Sequence, residues 1–213
     1  MQTESKHDLV IRSIYPEDLD EISALSIKCF GPEMCLKKEH FSSQLKLFPE
    51  GQACVEYKGK IVGCAISVKV NIEDYGHNHN YDQISDEGYI RNHNPHGKHL
   101  YGIEVGVDPD YRNMKLGKLL YDARRKICRE LNLESIFIGG RMPNYHKYAD
   151  EMDALEYAKR VVAGEIYDPV ATFQTKCGFD LVTVMPEYIP DDAESKGYAS
   201  LMEWKNDEHV ANA

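Results

Sequence analysis

The chain has 213 residues, with 25 Lys or Arg against 35 Asp or Glu, a formal charge of −10. That balance excludes a nucleic-acid partner, because phosphate contacts need a basic face. A hydrophobic fraction of 42% beside 28% charged residues excludes a disordered chain, and the length suits one domain, 1–213, with its own core.

No apolar run reaches the roughly 20 residues that cross a bilayer. The first residues, Met1 to Asp8, are polar and lack the apolar stretch of a signal peptide. The six cysteines (Cys29, Cys35, Cys54, Cys64, Cys128, Cys177) form no Cys-x-x-Cys pair. They read as reduced thiols, so the expected compartment is cytoplasmic. A covalent acyl-cysteine is the sharper alternative, though no Cys neighbours a His in sequence.

Residues 9–14 read as a first strand. Pro16, Glu17 and Asp18 open a helix, since Pro is tolerated in a first turn and acids suit its positive end. Leu19, Ile22, Leu25 and Cys29 give it an apolar stripe. A second helix is expected over 36–48, with Phe41, Leu45 and Phe48 on one face, stopped by Pro49-Glu50-Gly51. Strands over 53–57 and 61–70 follow, joined by the hairpin signal Lys58-Gly59-Lys60.

Residues 71–98 break the pattern and read as a long polar loop over a substrate entrance. Their histidines, His77, His79, His93 and His96, fit no standard metal spacing, so no metal is expected. A strand over 99–107 comes next. Leu116, Leu119, Leu120, Ala123, Ile127 and Leu131 then predict a helix over 115–131. Its basic residues, Lys118, Arg124, Arg125, Lys126 and Arg129, read as a solvated outer face. A buried strand over 135–138 is ended by Gly139-Gly140. Two further helices, around 152–162 and 170–177, close at Gly164 and Gly178. Strands over 181–185 and 198–204 finish the chain.

The informative stretch runs Val105-Gly106-Val107-Asp108-Pro109-Asp110-Tyr111-Arg112-Asn113-Met114-Lys115-Leu116-Gly117-Lys118. A buried strand enters a turn that opens a long helix. The first N–H groups of such a helix are unpaired and, with the dipole, suit a pyrophosphate. Gly117 allows close backbone approach, while Arg112 and Lys115 add local positive charge.

This stretch resembles the signature of the GNAT acetyltransferase superfamily: a strand, Pro-x-Tyr-Arg, then R-x-x-G-x-G/A opening a helix. Here the loop reads Arg112-x-x-Lys115-x-Gly117, with Lys115 in place of the first glycine. Val10-Ile11-Arg12 with Pro16-Glu17-Asp18-Leu19 resembles the family's amino terminus, and 171–179, ending Gly178-Phe179, its late helix. The runs 139–148 and 164–169 are similar to a subgroup often fused to a nitrilase-type carbon–nitrogen hydrolase domain. The resemblance implies an α/β (α+β) fold: a mixed, largely antiparallel sheet with two splayed parallel strands and flanking helices. Segments inserted at about 71–98 and 141–168 would flank the acceptor site.

The same resemblance implies acetyl-CoA as co-substrate. Val105, Gly106 and Val107 would bind the pantetheine arm, and Arg112, Asn113, Met114, Lys115, Leu116, Gly117 and Lys118 the pyrophosphate. Glu104, an acid in an apolar strand facing opposite to Val105, is the candidate base, a paired structural carboxylate being the alternative. The family's usual acid, a Tyr, is replaced by Gln174. Tyr167 is the candidate replacement, with Tyr145 and Tyr148 the other options. Arg141, Tyr145 and His146 follow the second splayed strand and suit an acceptor bearing an anionic group.

The expected activity is N-acetylation of a small primary amine by direct attack in a ternary complex. A non-catalytic acyl-CoA-binding or sensing module and a protein N-acetyltransferase are the alternatives. The expected partner is a small amine, with no nucleic acid and no membrane. The oligomeric state stays open, a homodimer included.

Overall fold

The computed structural model describes residues 8–211. The polar residues 1–7, read above for a signal peptide, lie outside that range. A seven-stranded sheet runs in the order β1-β2-β3-β4-β5-β7-β6. Its strands are β1 (Leu9–Ser13), β2 (Gln52–Tyr57), β3 (Lys60–Val70), β4 (His99–Val107), β5 (Ser135–Arg141), β6 (Asp180–Met185) and β7 (Ala199–Lys205). The pairs are antiparallel except β4 with β5, which run parallel. This is the mixed, largely antiparallel sheet that the family resemblance implies.

The helices are α1 (Leu19–Phe30), α2 (Lys38–Leu47), α3 (Tyr81–Ser85), α4 (Leu116–Glu130), α5 (Ala154–Val162) and α6 (Ala171–Lys176). The start of α1 is fixed by Asp18. Its carboxylate accepts two bonds from Arg12 of β1, at 2.6 and 3.0 Å, and one from the Tyr15 amide at 2.8 Å. The Val-Ile-Arg and Pro-Glu-Asp signals are therefore two halves of one clasp.

Successive residues of β4 face opposite layers, as strand geometry requires. Glu104 and Gly106 face α1: Glu104 meets Ser26, and a side chain at Gly106 would meet Cys29 and Phe30. Val105 and Val107 pack instead with Leu116 and Leu120 of α4.

Three expectations change. Residues 71–98 are not a solvated loop: they hold α3, and Ile72, Ile84 and Ile90 are buried in the main core. Gly139-Gly140 does not end β5, which continues to Arg141 by pairing with Ala199–Leu201 of β7. Arg124 is not on the solvated face of α4 but is 2% exposed beneath the sheet. Its guanidinium donates to the Ser67 hydroxyl at 3.1 Å and to the carbonyls of Ile66 at 3.0 Å and Glu104 at 2.9 Å.

Those carbonyls flank an irregularity. Ile66 pairs with Glu104 and Ser67 with Gly102, which leaves Ile103 unpaired as a bulge in β4. The extra residue keeps Tyr101 and Glu104 on one face. Arg124 fills the space beneath, where a side chain at Gly102 would collide with it.

Candidate active site

The parallel strands separate. Pairing of β4 with β5 covers His99–Gly102 against Ser135–Ile138 and stops there. Beyond it β4 follows β3 to Val107, while β5 follows β7 to Arg141. The facing backbone edges at 103–107 and 139–141 thus form a fork with no ladder between its arms.

Glu104 lies on the α1 side of this fork and is 8% exposed. Its carboxyl receives the Ser26 hydroxyl at 3.4 Å and the Cys64 thiol at 3.7 Å, with no cation paired to it among the described residues. Burial pushes it from 4.5 up to about 8, outweighing the two donors that favour the anion. The structural ion pair weighed as an alternative is therefore absent among the described residues. Burial first, and then the Glu104 charge, push the Cys64 thiol well above its usual value. A thiol held protonated in this way is a weak nucleophile. Tyr81 of α3 is partly buried and feels the Glu104 charge, so the 71–98 segment reaches this site.

On the other side, Pro109–Met114 forms a tight helical turn leading to α4. Arg112, Asn113, Lys115 and Lys118 are exposed, and Leu116 is buried as the anchor. Among the described residues neither Arg112 nor Lys115 makes an ion pair, whereas Lys118 approaches Asp122 at 3.6 Å. Lys115 has φ +58°, in the left-handed region where glycine is at ease. It occupies the position of the signature's first glycine. Lys115→Gly is expected to stabilise the fold by up to about 1 kcal/mol. Thermal denaturation reads that effect. Gly117 packs so that an added Cβ would sit 3.1 Å from the Phe173 ring of α6.

The far arm of the fork owes its glycines to close contact. A Cβ at Gly139 would overlap the Tyr188 ring and hydroxyl, and one at Gly140 would overlap the Gln174 amide. Tyr188 and Gln174 therefore close on β5 from opposite faces. Gln174 is 4% exposed, its Nε2 lies 3.4 Å from the Tyr121 hydroxyl, and its Oε1 has no hydrogen-bond partner.

The remaining candidates stand elsewhere. Arg141 at the end of β5 is held by Asp192 through two bonds of 2.6 Å and by Glu194 at 3.0 Å. Tyr145 is buried against Tyr157 and Tyr198, and its hydroxyl donates to the Met152 carbonyl at 3.3 Å. His146 is exposed, with Nδ1 on the Pro143 carbonyl at 2.9 Å. Tyr167 is 66% exposed. Of these only Tyr145 belongs to a second core, which it shares with Tyr157 of α5; buried Asp168 accepts from the Tyr157 hydroxyl at 2.9 Å. Glu104 and the 105–107 strand share the fork; Arg141, Tyr145 and Tyr167 are occupied in, or exposed on, the neighbouring segment.

Sequence reasoning missed Ser26, Tyr101, Tyr188 and the inward turn of Arg124. For Arg124 a signal exists: Leu116, Leu120, Arg124 and Cys128 recur every four residues, and all are buried. Tyr188 carries none, because its segment has no periodicity. Among the described residues, no group of three or more His, Cys, Asp or Glu could hold a metal, and no helix is long and apolar enough to cross a membrane.

Known proteins share this architecture. The model of the acetyltransferase (GNAT) family matches residues 19–149. A probable hydrolase, YhcX of Bacillus subtilis (strain 168), is 49% identical over 98% of this chain, which spans 40% of that protein. An uncharacterized N-acetyltransferase, YkwB of Bacillus subtilis (strain 168), is 36% identical over 93% of this chain and 89% of its own length. The loading GNATL domain of CurA from Lyngbya majuscula superposes with a TM-score of 0.82 at 23% identity, covering 92% of this chain and 97% of that domain. The family model matches more than half of the chain, and the N-acetyltransferase relative YkwB is covered over most of its length: the chain belongs to the acetyltransferase (GNAT) family.

Proposed function

We propose that the chain is an acetyl-CoA-dependent N-acetyltransferase that acylates the primary amine of a small metabolite by direct attack in a ternary complex. The observation that carries this reading is Glu104, a buried carboxyl with no paired cation among the described residues, at the fork and raised to about 8. A base of that strength suits an ammonium that must lose a proton before it attacks.

The fork fits a thioester co-substrate. Its arms carry unladdered backbone in β4 and β5, from which 105–107 would hold the pantetheine and supply an oxyanion donor. Residues 112–118 would hold the pyrophosphate, with Arg112 and Lys115 as the charges. The unpartnered Oε1 of Gln174 is an acceptor ready for a ligand N–H. Acetyl-CoA supplies an activated acyl group; Glu104 takes the amine proton, and the protonated Cys64 argues for direct transfer over an acyl-cysteine.

Packing of 71–98 against the site, where Tyr81 feels the Glu104 charge, favours a small acceptor over an open peptide groove, and the acidic body favours a cationic one. For an anionic group on the acceptor, Arg141 would have to exchange Asp192 for it, with Tyr145 and His146 as its neighbours. Tyr167 would need to turn inward to serve as the acid.

Calorimetry with acetyl-CoA, followed by thiol release with polyamines, amino acids and amino sugars, tests the proposal. Binding together with amine-dependent release is expected. Binding without turnover would favour the sensing module, and absence of binding would defeat both.

A further inference from the structure

The fork holds a hydrogen-bonded file that the proposed transfer does not yet use. His79 lies 2.9 Å from the Tyr101 hydroxyl through Nε2, and Tyr101 lies 3.1 Å from the Tyr188 hydroxyl. His79 Nδ1 is 2.8 Å from the Gly76 carbonyl. All three side chains are buried, at 2%, 0% and 3% exposure. The file ends where Tyr188 rests on Gly139, the first residue of β5 beyond the last pair with β4.

Its polarity follows from elementary rules. A carbonyl only accepts, so Nδ1 carries the proton and Nε2 of neutral imidazole accepts. Tyr101 must then donate to His79 and accept from Tyr188. At rest, Tyr188 points its hydrogen inward and leaves oxygen lone pairs for the fork. Burial, followed by the neighbouring His77, acts against the charged form of His79 and keeps it empty, although the Gly76 carbonyl favours that form. Tyr75, Tyr101 and Tyr188 pack edge-on around its ring.

We propose that Tyr188, Tyr101 and His79 form a reversible proton relay that takes the proton shed by the attacked nitrogen and returns it to the departing thiolate. This rests on the acyl transfer proposed above and accounts for its protons. The ammonium loses one proton to Glu104, which releases it to solvent. The amine nitrogen then bonds to the thioester carbon and becomes positively charged. Its second proton passes to the Tyr188 oxygen, Tyr188 passes its own to Tyr101, and Tyr101 passes its own to His79 Nε2. The file now points outward: His79 donates to Tyr101, Tyr101 to Tyr188, and Tyr188 to the fork. When the carbon–sulfur bond breaks, Tyr188 protonates the sulfur and the file resets. Two protons leave nitrogen, one reaches sulfur and one is released. Tyr188 is the catalytic member, and Tyr101 and His79 act through it.

The test uses the full chain, acetyl-CoA and the panel amine with the highest turnover. Tyr188→Phe is expected to lower kcat by ~10²-fold with an unchanged acetyl-CoA Kd. The wild-type proton inventory in mixed H2O and D2O should be curved, and Tyr101→Phe should make it linear. Nitrogen NMR of the unliganded protein needs no turnover: His79 should carry its proton on Nδ1 and none on Nε2 at pH 7. An active wild type with Tyr188→Phe within twofold of it, or a proton on Nε2 at rest, overturns the relay and leaves the transferase standing. A wild type that releases no thiol overturns both.

Discussion

Glu104→Gln is expected to lower acetyl transfer by ~10²–10⁴-fold while making the protein more stable at pH 8. The two effects have one cause. The carboxyl is buried beneath α1 with only Ser26 and Cys64 as donors, and burial raises it from 4.5 to about 8. Below pH 4.5 the group is protonated in both folded and unfolded chains and costs nothing extra. Between 4.5 and 8 the unfolded chain ionises while the folded one keeps its proton, so stability falls as pH rises. The loss is about 1.4 kcal/mol per pH unit across that window, several kcal/mol in all as an order of magnitude. Glutamine keeps the shape and does not ionise.

Urea titrations at pH 5 and pH 8 should therefore show a variant-minus-wild-type difference that grows with pH. The wild-type rate should rise with pH as Glu104 ionises and level off above about 8, and that rise should vanish from residual variant activity. A variant with wild-type turnover would remove Glu104 as the base, whatever its stability. A difference in stability independent of pH would mean that the carboxyl is better solvated than its surroundings indicate.

How much of this was legible follows from where each signal originates. Strand and helix periodicity records which residues are buried, so every strand is found within a few residues. The chemistry-bearing loop is local, hence Arg112, Lys115 and Gly117 stand together in sequence and in space. The fork is legible only through resemblance, because nothing in residues 99–107 or 135–141 says that their pairing stops at Gly102 and Ile138. Gly139-Gly140 shows the limit well. Two glycines usually signal a strand end, but here they are required by Tyr188 and Gln174, which arrive from distant segments. Residues 71–98 mislead for a related reason: their polar composition conceals three buried isoleucines, Ile72, Ile84 and Ile90. Polar groups there, such as His79, are satisfied by partners that composition cannot reveal.

Arg124→Met is expected to destabilise the fold by about 2–5 kcal/mol, even though it removes a buried charge. Two effects oppose each other. Arg124 makes no ion pair among the described residues, and burial disfavours its charge, so methionine removes a real desolvation cost. Against this, the guanidinium satisfies the Ile66 and Glu104 carbonyls and the Ser67 hydroxyl around the Ile103 bulge. Stranding buried acceptors costs about 1–3 kcal/mol each, and methionine satisfies neither carbonyl. Since the planar fork reaches three groups at once, the hydrogen bonds win. Arg124→Lys should rescue little, because a single ammonium on a shorter reach cannot span the bulge. At roughly 2–4 °C per kcal/mol for a chain of this size, calorimetry should find the melting temperature lowered by about 4–20 °C. The bulge also sets the face of Glu104, so kcat should fall in both variants under conditions where they remain folded. A methionine variant more stable than wild type would mean that desolvation of the charge outweighs the carbonyls. Arg124 would then be retained for the geometry of the fork rather than for stability.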